Sequence, residues 1–181
     1  MIPNKYILQL IVLLYVIYFI GLFVPLTKFG IVPRTTNGLI GIFTAPFLHG
    51  GIRHLLSNTI PLTTLLIVLN TIYPSKTVTV ILFVTIASGI LVWIFGRNAN
   101  HIGASALIYG LVAFLIVYGI LEKKYIPMFI SIGIGIVYGS LIWGIFPSLK
   151  SYISWEGHLF GAIAGISIAF LLNNTKSTIP L

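Results

Sequence analysis

Residues 101–110 read HIGASALIYG and open an apolar stretch that continues to Leu121. Ser105 lies here among small residues, with His101 four positions before it and Tyr109 four positions after it. Side chains four positions apart share one face of a helix, so Ser105 and Tyr109 are expected to project together. A hydroxyl at the start of an apolar helix needs an explanation, which the rest of the chain supplies.

The composition predicts an integral membrane protein. Of 181 residues, 58% are hydrophobic and only 7% are charged, with a mean hydropathy of +1.11. A soluble domain carries far more charge, so the expected surroundings are a lipid bilayer. The net charge of +8 is typical of loops near anionic lipid. Basic residues are scattered singly apart from Lys123 and Lys124, which argues against nucleic-acid binding, and the lack of cysteine excludes disulfides and thiolates.

Six apolar segments predict six transmembrane helices in a single domain over residues 1–181, an all-α membrane bundle. They cover about residues 6–26, 54–73, 77–95, 103–121, 126–146 and 157–172. The first is too long for a signal-peptide core, so we expect it to be retained. Residues 27–53 form a long first loop whose apolar pieces are too short to span. We expect this loop to be ordered and partly inserted, the alternative being a mobile amphipathic loop.

Charge distribution predicts the orientation. Six spans place both termini on one side, with five lysines. If the first loop is embedded, only two basic residues count on the other side, so the positive-inside rule predicts cytoplasmic termini. A small basic membrane protein of this kind suits a prokaryotic plasma membrane, with an organelle membrane as the alternative.

Polar side chains lie at the starts of the second, fourth and sixth segments. These are His54 and Asn58, then Ser105, then His158. Because the chain alternates direction, the three starts lie on the same side of the membrane, at similar depth for a rise of about 1.5 Å per residue. We therefore expect these four side chains to meet near the non-cytoplasmic surface.

Small residues indicate that the fourth and sixth segments pack closely. Ala106 and Gly110, like Gly161 and Gly165, form small-xxx-small patterns that allow backbones in lipid to approach. Such an approach would bring the sixth segment's histidine to Ser105.

The chemistry of these groups suits acyl transfer. A neutral histidine can take the proton of a serine hydroxyl, which then becomes a nucleophile. The amide of Asn58, the imidazole of His54 and the unpaired backbone N–H groups at a helix start can donate hydrogen bonds to an oxyanion. Each group alone has a structural explanation, as helix-to-helix contact for the serine or as an interfacial residue for a histidine.

At these positions the chain resembles the rhomboid family of intramembrane serine proteases. Residues 103–106, GASA, with Tyr109 and Gly110, resemble the family's fourth-helix motif. HLFGAIAG, residues 158–165, matches the sixth-helix pattern H-x-x-G-x-x-x-G, and HGGIRHLLSN, residues 49–58, matches the second-helix pattern H-x-x-x-x-H-x-x-x-N. The three motifs occur in the family's order, and the resemblance covers nearly the whole chain.

The resemblance implies a role for each residue. Ser105 would be the nucleophile and His158 the general base. His54, Asn58 and the backbone N–H of Ser105 would line the oxyanion hole, and Tyr109 would orient the base. Transmembrane protein segments would be the substrates, no cofactor would be needed, and the fifth segment would control access.

The remaining motif positions are structural by the same resemblance. His49 would tie the first loop to the second helix, while Gly103, Gly161 and Gly165 would permit close packing. The chain departs from the family pattern in two places. Ala106 replaces a frequent glycine, and the Trp-Arg pair of the family's first loop is absent. The most similar dipeptide in this loop is Pro33-Arg34.

No third catalytic acid is expected. Glu156 is two positions from His158 and is predicted to lie in the preceding loop, while Glu122 belongs to the opposite membrane face. We therefore expect a Ser–His dyad.

The chain has no aspartate and no H-E-x-x-H motif, which excludes aspartyl and zinc intramembrane proteases, and no metal is expected. The alternatives are an inactive rhomboid-like protein that binds membrane clients and, more remotely, a transporter; the oligomeric state is left open.

Overall fold

Helices account for the regular secondary structure throughout the described part of the chain. A computed structural model describes residues 3–147 and 153–175. Within them β-pairing is limited to one isolated bridge between Ile31 and His101. The six longer helices, numbered in chain order, are α1 (Asn4–Gly21), α2 (Ile52–Ile72), α3 (Thr77–Phe95), α4 (Ser105–Leu121), α5 (Tyr125–Tyr138) and α6 (Trp155–Asn174). The predicted all-α class is confirmed.

Four helices of the described residues are long and apolar enough to cross a membrane. They are Ile52–Ile72, Thr77–Phe95, Tyr125–Ile145 and Trp155–Asn174. Lys5–Gly21 and Ser105–Leu121 are also apolar but shorter. Each long helix falls on one of the six predicted segments, and six crossings stay a prediction.

Helix ends differ from the predicted boundaries for local reasons. Gly103 has a positive φ of +112°, which helical residues do not adopt, so α4 begins at Ser105. The Ser154 side chain accepts a hydrogen bond from the Gly157 N–H, so α6 begins at Trp155, two residues earlier than predicted. α5 is followed by a 3₁₀ segment, Gly139–Ile145.

The connection between α1 and α2 consists of short helical turns held against α3. Its turns are Leu26–Phe29, Asn37–Leu39, Gly41–Thr44 and Ala45–Phe47. The Arg34 guanidinium donates to the carbonyls of Ile94 and Gly96 at 3.0 and 2.8 Å, and the Trp93 indole donates to the Thr35 carbonyl at 2.8 Å. Arg34 thus anchors the loop without the family's Trp-Arg pair; insertion of the loop into lipid stays a prediction.

Helix α4 is the centre of the bundle, and most of its residues are buried. A Cβ on Gly161 would overlap the carbonyl of Ala106, and one on Gly165 would overlap the carbonyl of Gly110. Backbone atoms of α4 therefore touch α6, as the small-xxx-small patterns predict. This contact sets the depth at which α6 starts beside Ser105.

Candidate active site

A cavity of about 860 Å³ lies where the N-terminal ends of α2, α4 and α6 meet. Its lining includes the four polar residues that the sequence predicts to converge, His54, Asn58, Ser105 and His158, together with Tyr109. They come from three helices that are far apart in sequence. The structure therefore brings this predicted set together around one space.

Ser105 is half-buried and is the first residue of α4. The backbone before it turns sharply at Gly103, whose N–H donates to the Ala45 carbonyl at 2.9 Å. A Cβ on Gly103 would lie 2.5 Å from Nε2 of His54 and 2.6 Å from its Cε1. Because no side chain stands there, the His54 ring lies directly against the backbone leading to Ser105. As the first helical residue, Ser105 also has a backbone N–H without a partner inside the helix.

The imidazole of His158 is fixed by two contacts. Its ring stacks on Tyr109 with centroids 4.1 Å apart and planes 4° apart. Its Nδ1 lies 2.9 Å from the carbonyl oxygen of Gly144. A carbonyl can only accept, so in the neutral ring Nδ1 carries the proton and Nε2 is left with a free lone pair.

Gly144 makes a contact with His158 that the sequence pattern does not reveal. It belongs to the segment Gly139–Ile145 after α5, and its contribution is a backbone atom, which no side-chain motif can reveal. A Cβ at this position would overlap the Tyr109 hydroxyl and lie 3.1 Å from Nδ1 of His158. The sequence signal for this contact is therefore a glycine at position 144, which does not stand out because the region contains several other glycines.

Ser105 and His158 line the same cavity, and in the described residues no hydrogen bond joins them. Catalytic hydrogen bonds are often long in unliganded enzymes and tighten when substrate binds. The informative features of this pair are therefore the shared cavity and the Nδ1 contact that leaves Nε2 of His158 unprotonated in the neutral ring.

Asn58 and His54 are stacked along one face of α2. The Asn58 side-chain amide donates to the His54 carbonyl at 2.9 Å, which fixes the rotamer and leaves the second amide N–H of Nδ2 for another acceptor. This nitrogen is 3.8 Å from the position of a Cβ on Gly103. The amide thus lies beside the backbone that leads to Ser105.

His49 lies behind the His54 ring. The two rings meet edge to face with centroids 4.9 Å apart, and neither His49 nitrogen has a hydrogen-bond partner in the described residues. Burial, reinforced by the nearby His54 and slightly opposed by the Phe47 backbone, lowers the pKa of His49 from 6.5 to about 4. His49 is therefore neutral at physiological pH and packs the end of the first loop onto α2.

Glu156 lies in the first turn of α6, so its predicted place in the preceding loop is wrong. The early start of the helix at the Ser154 cap explains the difference. The carboxylate is 2% exposed and contacts Arg97, with Oε1 3.5 Å from the guanidinium Nε. In residues 3–147 and 153–175, no group of three histidine, cysteine or acidic side chains is placed to hold a metal ion.

A bundle of apolar helices, of which four in the described residues are long enough to cross a membrane, defines a multi-pass integral membrane protein. A sequence model of the Rhomboid domain matches residues 36–175, which contain α2 to α6 and all five cavity residues named above. The chain belongs to the rhomboid family.

Relatives with similar sequences occur in mycobacteria. The chain is 38% identical over 152 residues to uncharacterized protein Rv1337 of Mycobacterium tuberculosis (strain ATCC 25618 / H37Rv), covering 80% of this chain and 63% of that protein. It is 36% identical over 146 residues to uncharacterized protein ML1171 of Mycobacterium leprae (strain TN), covering 76% of this chain and 58% of that protein. The chain therefore spans less than two thirds of the length of these curated relatives.

Proposed function

We propose that this protein is an intramembrane serine endopeptidase that hydrolyses peptide bonds in or beside transmembrane segments of other proteins. The observation that carries the proposal is the fixed His158 ring. Its Nδ1–H is bound to the Gly144 carbonyl, and its face is covered by Tyr109. This arrangement leaves Nε2 as a base in the cavity that Ser105 also lines.

The reaction would follow the logic of other serine hydrolases. Nε2 of His158 removes the hydroxyl proton of Ser105, and Oγ attacks the substrate carbonyl to form a tetrahedral intermediate. His158 then gives this proton to the leaving amine as the C–N bond breaks. Water, activated by the same imidazole, hydrolyses the acyl-enzyme and regenerates Ser105.

The oxyanion would be bound at the junction of α2 and α4. The donors are the backbone N–H of Ser105, the second amide N–H of Asn58 and an imidazole N–H of His54. Gly103 permits this junction because its missing side chain leaves room for the His54 ring. His49, Gly161 and Gly165 act further out, by packing the helices that carry these donors and the base.

The membrane setting is part of the proposal. Six crossings in a single domain, with cytoplasmic termini, would place the cavity near the non-cytoplasmic surface of a prokaryotic plasma membrane. A substrate helix must unwind before its carbonyl can meet Ser105, so segments with small or helix-breaking residues near a membrane end should be preferred. No cofactor is required by this chemistry.

The test is cleavage of a generic transmembrane substrate in liposomes, with labelling by a fluorophosphonate. Wild type should cleave and label, whereas Ser105→Ala should do neither and His158→Ala should lose cleavage. Ser57→Ala is the matched control, because Ser57 lines the same cavity but hydrogen-bonds to its own helix at 3.0 Å. A folded wild type that neither cuts nor labels would contradict the proposal and move the function to client binding.

A further inference from the structure

A closed ring of polar contacts joins the loop before α4 to the first turn of α6. Its members are His101 and Arg97 in the loop, and Ser154, Glu156 and Gly157 at the helix start. Nδ1 of His101 is 2.7 Å from Oγ of Ser154, and Nε2 of His101 is 3.1 Å from the Arg97 carbonyl. The Arg97 N–H donates to Oε1 of Glu156 at 3.3 Å, and the Gly157 N–H donates to Oγ of Ser154 at 3.2 Å.

The partners fix the direction of these hydrogen bonds. The Arg97 carbonyl only accepts, so Nε2 of His101 carries the proton and Nδ1 is the acceptor. The Ser154 hydroxyl must then donate to Nδ1 while its oxygen accepts from the Gly157 N–H. Burial is the main cause that lowers the pKa of His101, which favours this neutral form. Every donor in the histidine–serine part of the ring thus has an acceptor.

The ring is buried and is reinforced from outside. His101 is 4% and Glu156 2% exposed. The backbone of His101 is paired with Ile31 of the first loop by two hydrogen bonds, at 3.0 and 2.9 Å. The Arg97 guanidinium donates to the Ile153 carbonyl at 2.6 Å, and it also contacts the Glu156 carboxylate. Among the described residues, Oε2 of Glu156 is buried without a hydrogen-bond partner, whereas the side-chain groups of His101 and Ser154 are satisfied and hold a rigid geometry.

Both ends of the ring are four residues before a proposed catalytic group. His101 is four residues before Ser105, and Ser154 is four residues before His158. The nucleophile and the base lie on different helices, so the distance between them depends on how these two helix starts are fixed. The His101–Ser154 contact is a direct side-chain link between the two segments that lead into them, beside the contacts of Arg97 with Ile153 and Glu156.

We propose that His101 and Ser154 are positioning residues, which set the separation of Ser105 and His158 by fastening the α4 approach to the α6 cap. The proposal rests on the proposed function of the site for its kinetic consequence. Neither residue transfers a proton in it. Their loss should leave substrate binding intact and lower the rate of the chemical step, because small misplacements of reacting groups are costly.

The experiment is a double-mutant cycle with His101→Ala, Ser154→Ala and the double variant, in full-length protein reconstituted in liposomes. Each single variant should lower kcat and the rate of fluorophosphonate labelling by about 10-fold, with KM within about 2-fold of wild type. The double variant should be no slower than the worse single variant, because either change already opens the ring. Ser154→Thr keeps the hydroxyl and should restore most of the rate.

Multiplicative losses in the cycle would overturn the proposal, since they would show that the two side chains act separately. Variants with a lower Tm but the wild-type kcat per labelled site would also overturn the proposal, because the ring would then contribute only to stability. If wild type itself proves inactive, the proposed function fails and the same cycle is measured by thermal unfolding. Non-additive shifts in Tm then support the proposed link between His101 and Ser154, and additive shifts reject it.

Discussion

The carbonyl oxygen of Gly144 lies 2.9 Å from Nδ1 of His158, so the proposed base takes its orientation from a segment outside its own helix. In serine proteases with a triad, a carboxylate fills this position and stabilises the imidazolium that forms during attack. A neutral carbonyl selects the same tautomer with less electrostatic stabilisation. Stacking on Tyr109 adds a second restraint on the ring.

Gly144→Ala should reduce kcat by about 100-fold, because displacement of a reacting group by about 1 Å costs this much. The new methyl would overlap the Tyr109 hydroxyl and crowd Nδ1 of His158. Adding Tyr109→Phe removes the overlapping oxygen while retaining the stacked ring, so the double variant should recover part of the loss. Steady-state cleavage of a transmembrane substrate measures both effects.

The matched control for this experiment is Gly139→Ala, five residues earlier in the same 3₁₀ segment. A Cβ there meets no atom within 4 Å, so the variant should retain wild-type kcat. Equal losses for the two alanine variants would mean that flexibility of the segment matters, and the contact with His158 would lose its assigned role.

Asn58→Ala should lower kcat by about 100-fold and change KM little, as expected for a donor used mainly in the transition state. Ser57→Ala, one residue away in α2, removes a hydroxyl that also lines the cavity and should have little effect. Initial rates over a range of substrate concentrations separate the two parameters. A rise in KM with kcat unchanged would assign Asn58 to substrate binding.

Gly161→Ala should destabilise the fold by about 1–3 kcal/mol, the usual cost of overpacking a well-packed interior. Its methyl would meet the backbone of Ala106, which cannot rotate away as a side chain could. Gly133→Ala, which adds a methyl into open space on α5, is the control. Thermal unfolding in detergent should give a lower Tm for the first variant and an unchanged Tm for the second; equal Tm values would refute close α4–α6 contact.

His49 should make stability depend on pH. Its folded pKa of about 4 lies below the ordinary value of 6.5, so the unfolded chain binds the proton more readily between these values. The stability that the neutral ring provides is therefore complete above about pH 6.5 and is lost as the pH falls toward 4.

His49→Gln removes this titration. The Tm of wild type minus that of the variant should decrease from about pH 7 to about pH 4.5, the range in which the unfolded imidazole gains its proton. A difference in Tm that stays constant over this range would show that His49 does not titrate differently on folding.

Much of the site could be predicted from the sequence because chain alternation and helical spacing are simple geometric rules. Alternation alone placed His54, Ser105 and His158 at one level, and the structure puts them around one cavity. The small-xxx-small pattern likewise anticipated the contact of Gly161 with α4. These inferences needed only periodicity and direction.

Other features depend on atoms that a residue pattern does not specify. The partner of His158 is a backbone carbonyl, and its position follows from the 3₁₀ path of residues 139–145. The start of α6 at Trp155 follows from the Ser154 cap, which also placed Glu156 inside the helix and against Arg97. His101 was visible in the sequence, but its link to Ser154 depends on a tertiary contact between two loops.

The partner of His158 is a main-chain carbonyl, which every residue carries, so substitution cannot remove this acceptor. Substitution at residue 144 alters the space around the carbonyl and never the carbonyl itself. The contact is lost when residues 139–145 move, and their side chains are strongly exposed at Ile142 and Trp143, 54% and 76%. Heritable variation therefore reaches this hydrogen bond only indirectly, through substitutions that change the path of residues 139–145.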